Sequence, residues 1–205
     1  MTNTVKTEPG TEEQIFEAAR EVFYEQGFDG ARMQSIAKRA GINHSMLHYY
    51  FRTKGKLFDA VFRRAAMVFM PPVVDVLKSD LPLLDKLDLF VDRYFAMVKA
   101  NPHMPGFIIQ ELRRNPAALR QVAGTVVGTV FDGLSREVHA AVESGQLKPT
   151  TPEDLLANLF GLCAFPFLAQ PMLETIFGME QSRYEAFLEG RRQTVKTFIK
   201  QALVA

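Results

Sequence analysis

Arg32 to Phe58 reads RMQSIAKRAGINHSMLHYYFRTKGKLF, with six basic residues, two histidines and no acid. The segment before it, Glu8 to Asp29, has the opposite balance: seven acids against Arg20 alone. A formal net charge of +1 therefore conceals a charge separation along the N-terminal part. An acid-free basic window holding two short helical patterns joined through Ala40-Gly41-Ile42 is what a helix-turn-helix needs to approach a polyphosphate. The hydrophobic phase agrees. Ile36, Ala37 and Ala40 share one face of a first short helix, and Gly41 can take the left-handed conformation that ends it. Asn43 is placed to cap the next helix, on which Leu47, Tyr50 and Phe51 fall on one side and His44, Ser45, His48 and Tyr49 on the other.

The string IAKRAGINHSMLHYYFRTKGKLF resembles the N-terminal domain of the tetracycline-repressor (TetR) family of bacterial transcription factors, through Ile36, Ala37, Ala40, Gly41, Leu47, Tyr49, Tyr50, Phe51, Lys54 and Leu57. Upstream, Ile15, Ala18, Ala19, Phe23, Gly27 and Phe28 match the family's first helix and the turn after it, so the similarity spans roughly residues 12 to 58. Arg32 replaces a common capping Thr, Ser45-Met46 replaces Gly-Thr, and His48 replaces a Tyr. These departures leave the fold in place and bear on which DNA sequence is read. The resemblance implies that Tyr49, Tyr50 and Lys54 contact phosphate and sugar, with Arg32, Gln34 and Arg52 as secondary candidates. Asn43, His44, Ser45, Met46 and His48 lie along the reading helix, Met46 being suited to a thymine methyl.

The rest of the chain reads as helices. The expected architecture is all-α, about nine helices: an N-terminal three-helix helix-turn-helix domain and a C-terminal helical bundle for ligand binding and dimerisation. The expected divisions are a disordered tail at 1–10, a DNA-binding domain at 11–56 and a ligand-binding and dimerisation domain at 57–205. Thr11 and Gln14 form a possible capping box. A fourth helix from Lys54 joins the domains and should break at Pro71-Pro72. Later helices are expected at 82–100, 102–114, 116–144, 152–170 and 182–204, the eighth bent at Pro166.

From Leu155 to Leu173 the chain is charge-free, too apolar for a helix exposed on one side of a monomer. The family's last two helices pair with their mates across a two-fold axis, which implies a homodimer with Leu155, Leu159, Leu162 and Phe167 at the interface; the alternative is a helix buried inside one subunit's own core. Burying about 700 Å² of apolar area per subunit at about 25 cal/mol/Å² supplies tens of kcal/mol before association costs. Helices in this family also usually enclose a small-molecule cavity. Phe62, Met67, Tyr94, Met97, Phe107 and Phe131 are its candidate apolar and aromatic walls, and Tyr94, His103, Gln110 and Glu111 its polar groups.

Several classes are set aside. No G-x-S-x-G, glycine-rich phosphate loop or His/Cys ligand set is present, so an enzyme is not expected. His44 and His48 are i, i+4, but no carboxylate or Cys follows at ligand spacing, so neither metal nor cofactor is expected. No apolar leader or uncharged spanning run is seen, which leaves a cytoplasmic protein without a membrane partner. The expected function is a dimeric regulator that binds a palindrome in double-stranded DNA and is released by a small apolar or amphipathic inducer. The rival is a ligand-independent DNA-binding protein controlled by a protein partner.

Overall fold

The computed structural model describes residues 10–115 and 117–204. Among these residues ten helices follow one another: α1 (Thr11–Gly30), α2 (Met33–Arg39), α3 (His44–Tyr50), α4 (Lys54–Lys78), α5 (Leu83–Ala100), α6 (Met104–Arg114), α7 (Ala118–Glu143), α8 (Pro152–Leu168), α9 (Gln170–Phe177) and α10 (Gln181–Leu203). Among the described residues the extended pairing is one antiparallel bridge, Leu147 with Val204.

Two apolar cores organise these helices. The first gathers Ile15, Ala19, Val22 and Phe23 of α1 with Ile36, Leu47, Leu57 and Phe58, and it continues along α4 to Ala65 and across to Phe107 of α6. The second joins Val73, Val76 and Leu77 of α4 to Leu87, Phe90 and Val91 of α5, Leu134 and Val138 of α7, Leu159 and Cys163 of α8, and Val195 and Ile199 of α10. One helix, α4, thus contributes its first half to one core and its second half to the other.

That shared role explains why α4 does not break at Pro71-Pro72, as the sequence predicts, but runs on to Lys78. A proline inside a helix removes one backbone hydrogen bond and costs about 3 kcal/mol; burial of Ala65 and Ala66 before the pair and of Val73, Val76 and Leu77 after it opposes that cost. Likewise α8 continues through Pro166. The chain turns only at Ala169, by 66° into α9, and α9 is a helix that the sequence reading left unassigned between its helices at 152–170 and 182–204. Tyr184 of α10 donates its hydroxyl to the Pro166 carbonyl (3.1 Å), occupying a carbonyl at that helix end. The Thr11–Gln14 capping box does not form: Gly10 is the N-cap of α1 and no side chain caps it.

The dimer expectation needs a correction on the same helix. Leu155 and Leu159 are buried by their own subunit, against α5 and α10, and are closed to any partner. The charge-free run is so apolar because one face fills this core, while Phe165 and Leu168 remain on the outside. The sequence's single cysteine, Cys163, belongs to the buried face, where loss of hydration pushes its thiol up to about 12. Ion pairs flank the core, Lys196 to Asp92 (2.6 Å) between α10 and α5 and Lys86 to Glu137 (2.6 Å) between α5 and α7.

Leu159→Ala should therefore destabilise the protein by about 2–5 kcal/mol, the cost of a leucine-sized cavity in a packed core. A urea unfolding curve checks this, and an unchanged midpoint would put Leu159 outside the core.

Candidate nucleic-acid interface and ligand cavity

The turn between α2 and α3 is built by backbone geometry. Gly41 takes φ +68°, a conformation that glycine adopts without a Cβ clash. It lets Gly41 N–H donate to the Lys38 carbonyl (3.2 Å) and Ile42 N–H to the Ala37 carbonyl (3.1 Å), the paired bonds that close a helix end. Two residues on, Asn43 caps α3 by accepting from Met46 N–H (2.7 Å). Leu47 is fully buried beneath the helix. With α3 fixed at its start and underneath, its other face opens to solvent: His44, Ser45, Met46, His48, Tyr49 and Tyr50 are exposed, Tyr49 at 83%.

Charge around this face is sorted by α1. Arg39 is held by Glu25 (2.7 Å) and Glu21 (3.6 Å), and its hydrogen bond lowers the Glu25 carboxyl below the ordinary carboxylate range. Arg32, Lys38, Arg52 and Lys56 are exposed and have no carboxylate partner among the described residues. Lys54 differs. Its ammonium donates to the carbonyls of Ala31 (3.1 Å) and Asp29 (3.4 Å) and lies 4.6 Å from the Phe28 ring centre. Its hydrogen bonds thus brace the chain entering α2, a role the sequence reading as a phosphate contact did not include. His48 Nδ1 lies 3.2 Å from the Arg52 carbonyl, which only accepts, so Nδ1 carries a hydrogen in this contact. Asn43, assigned to the DNA-reading set, has its side-chain oxygen engaged in the cap. Arg32 and Gln34 stand exposed at the start of α2.

The second site is a cavity of about 420 Å³ in the body, walled by α4, α5, α6, α7 and α8. Phe62, Tyr94 and Phe131 line it, together with Phe69, Met70, Ile108, Leu112, Leu134 and Phe160. The other candidates lie elsewhere. Met67 is 71% exposed on the outer face of α4, one residue out of phase with the wall. Met97 is packed into the body core, and His103 is exposed at the N-cap of α6. Phe107 belongs to the reading-head core, 5.3 Å from the Phe58 ring and 4.8 Å from the Tyr24 ring. Gln110 and Glu111 face the end of α1: a Cβ on Gly27 would sit 3.3 Å from Gln110 Oε1, and Glu111, 2% exposed, pairs with Arg114 (2.7 Å). Helical spacing assigned α6 correctly to the cavity region but chose the wrong face. Pro105, Ile108, Ile109 and Leu112, absent from that choice, are the α6 residues that wall it.

A third surface is left uncovered by the described residues. Phe165, Leu168, Met172, Ile176, Phe177 and Phe198 are exposed on α8, α9 and α10, while Leu162 and Phe167 are half-buried beside the core. No single helix is long and apolar enough to cross a membrane; the bent pair α8 and α9 passes that test only when joined.

A capped recognition helix presented by a helix-turn-helix, beside a body that encloses a lipophilic cavity, defines a DNA-binding regulator class. Residues 15–61 match the family described as bacterial regulatory proteins, tetR family. A fatty acid metabolism regulator protein of Bacillus subtilis is 27% identical over 139 residues, covering 66% of this chain and 70% of that protein. The HTH-type transcriptional regulator RutR of Escherichia coli K12 is 24% identical over 190 residues, covering 92% and 88%. The crystal structure of the Bacillus subtilis regulator FadR in complex with stearoyl-CoA shares the fold, with a TM-score of 0.61 at 20% identity, covering 90% of this chain and 97% of that one. Residues 15–61 thus carry a DNA-binding domain of the tetR family, and the chain as a whole shares the fold of TetR-type transcription regulators.

The two exposed-helix roles separate by mutation. Tyr49→Ala removes a solvated side chain and should shift folding stability by no more than about 0.5 kcal/mol while weakening DNA binding. Lys54→Ala, which removes the brace on Asp29 and Ala31, should lower the thermal midpoint as well. Melting curves of the two variants side by side check this; equal midpoints would make Lys54 a simple surface cation.

Proposed function

We propose that this protein is a repressor that binds a palindromic operator as a homodimer and is released by a small apolar or amphipathic inducer. The observation that carries ligand control is the shared placement of α4 and α6. Phe62 belongs to the reading-head core and also lines the cavity, and α6 sends Phe107 into that core while Ile108 and Leu112 wall the cavity. A ligand that spreads these helices acts on both cores at once. With about 100-fold preference for the spread state it shifts the equilibrium by about 2.7 kcal/mol, sufficient for regulation.

The residues around 11–56 form the reading head in this proposal, and those beyond form the body. His44, Ser45, Met46 and His48 read base edges. Tyr49 and Tyr50 meet the backbone, and Arg32, Gln34, Arg52 and Lys56 supply phosphate contacts and long-range attraction. One seven-residue helix reads few base pairs, so specificity needs two copies about 34 Å apart. The exposed apolar residues of α8, α9 and α10 support pairing through that face, with Leu162 and Phe167 at its edge, in place of Leu155 and Leu159. The names of the Bacillus relative and of the FadR complex are consistent with a chain-like lipophile as inducer.

Phe198→Glu and Ile176→Asp should each turn the dimer into a monomer, since an unpaired charge in a closed apolar interface costs several kcal/mol. Operator binding should fall although α1 to α3 are untouched. Light scattering with gel shift tests this, and dimers persisting in both variants would move the interface elsewhere. Lys56→Ala should weaken binding to all DNA sequences alike and reduce the salt slope by roughly one unit per subunit contact. His44→Ala should instead lose about 1–3 kcal/mol on the cognate operator and little on random DNA. Fluorescence anisotropy across a salt series separates them.

A further inference from the structure

Tyr94 is the single polar side chain among the described residues that line the cavity, and it is 3% exposed. Its ring is fixed by Phe90, stacked at 6.0 Å, and by Phe160 and Phe69 edge-on at 6.4 and 6.1 Å. Its hydroxyl has no hydrogen-bond partner among the described residues. Yet no buried side-chain nitrogen or oxygen among them is both sealed from space and unpartnered. The two facts together mean that the hydroxyl opens into the cavity. Burial raises the phenol above its ordinary value, so it stays protonated and available as a donor.

The rest of the described lining is hydrocarbon and aromatic apart from the Met70 thioether, with no lysine, arginine or histidine. A carboxylate or phosphate drawn in beside Tyr94 would be a buried charge with no counter-ion, which is strongly disfavoured. A pure hydrocarbon would fill the space but leave the hydroxyl unmatched, at the cost of an unmade hydrogen bond in a dry site. We propose that the cavity is selective for a neutral lipophile carrying one uncharged oxygen acceptor, an ester or ketone carbonyl, which receives the hydrogen bond of Tyr94. This rests on the ligand-gated reading above and adds to it the chemical class of the ligand and the residue that selects it. At about 420 Å³ the cavity lies within the range of about 300–1,000 Å³ that small-molecule sites occupy.

The test uses the full chain, wild type and Tyr94→Phe, and three probes of matched length carried on cyclodextrin: methyl dodecanoate, tridecane and dodecanoate at pH 8. Calorimetric titration should show the ester binding wild type about tenfold more tightly than the alkane, with the carboxylate weakest. In Tyr94→Phe the alkane should bind as before and the ester lose its advantage. Without ligand, Tyr94→Phe should melt about 2–4 °C higher, because an unpaired buried hydroxyl has been removed. A purely structural tyrosine would instead lower the melting temperature on losing its hydroxyl, and that result overturns the assignment. So does a carboxylate that binds as well as the ester, or an ester advantage that survives in Tyr94→Phe. Equal binding of all three probes defeats the Tyr94 selection while sparing ligand gating. Binding of none defeats ligand gating by such lipophiles and this inference with it.

Discussion

The aromatic seam between reading head and body is the contact on which the other features depend. Phe58 of α4 meets Phe23 of α1 at 4.9 Å and Phe107 of α6 at 5.3 Å, and Phe107 reaches Phe62 at 6.0 Å. Each such pair adds about 0.5–1.5 kcal/mol beyond its buried area. The reading-head core is therefore closed by a ring borrowed from the body. Arg114 covers the seam from outside, 4.2 Å from the Phe28 ring and 5.0 Å from that of Phe58, and is held there by buried Glu111. A change in α6 is felt directly by the α1 end and, through Phe28 and the Lys54 brace, by the chain entering α2.

How far this was legible in the sequence depends on the range of the interactions concerned. The reading head was legible because its signals are local: Gly41 at a helix end, Asn43 three residues before the N–H it caps, and Leu47 in phase with a buried face. The face of α6 was not. Its periodicity marks both the Phe107 and the Ile108 sides as apolar, and only the placement of α1 decides which one meets the head. Leu155 and Leu159 failed similarly, since an uncharged helix does not announce whether its partner is α5 of the same subunit or a second copy. Prolines misled in the same direction. By local rule Pro71 reads as a break and Pro166 as a bend, whereas tertiary burial on both flanks holds the helices through them. The brace made by Lys54 spans 23 residues to Ala31 and leaves no mark in spacing.

Electrostatics in this molecule organise more than they stabilise. The pairs Arg64–Glu13, Arg39–Glu25 and Arg192–Glu189 lie largely in solvent, where such contacts contribute between nothing and about 1 kcal/mol. What they do is dispose of cations. By occupying Arg39, α1 confines the unpaired positive charge of the window to Arg32, Lys38, Arg52 and Lys56, around α3 and at the edges of its exposed face. The acids that conceal the charge separation in the overall composition are the ones that direct it.

The clamp between α5 and α10 has a consequence for how the chain is made. Asp92 and Asp88 find Lys196 and Lys200 across 104 and 112 residues, and Val195 and Ile199 complete the core that Leu159 enters. On the ribosome, α1 to α6 emerge first and can close the reading head with Phe107, because a chain folds from its N-terminal side as it is synthesised. The apolar face of α8 emerges before α10 exists to cover it. The newborn protein thus passes through an interval in which its DNA-reading half is finished while its most hydrophobic helix is bare, the stage at which a chaperone has most to bind and aggregation is the main competitor of folding.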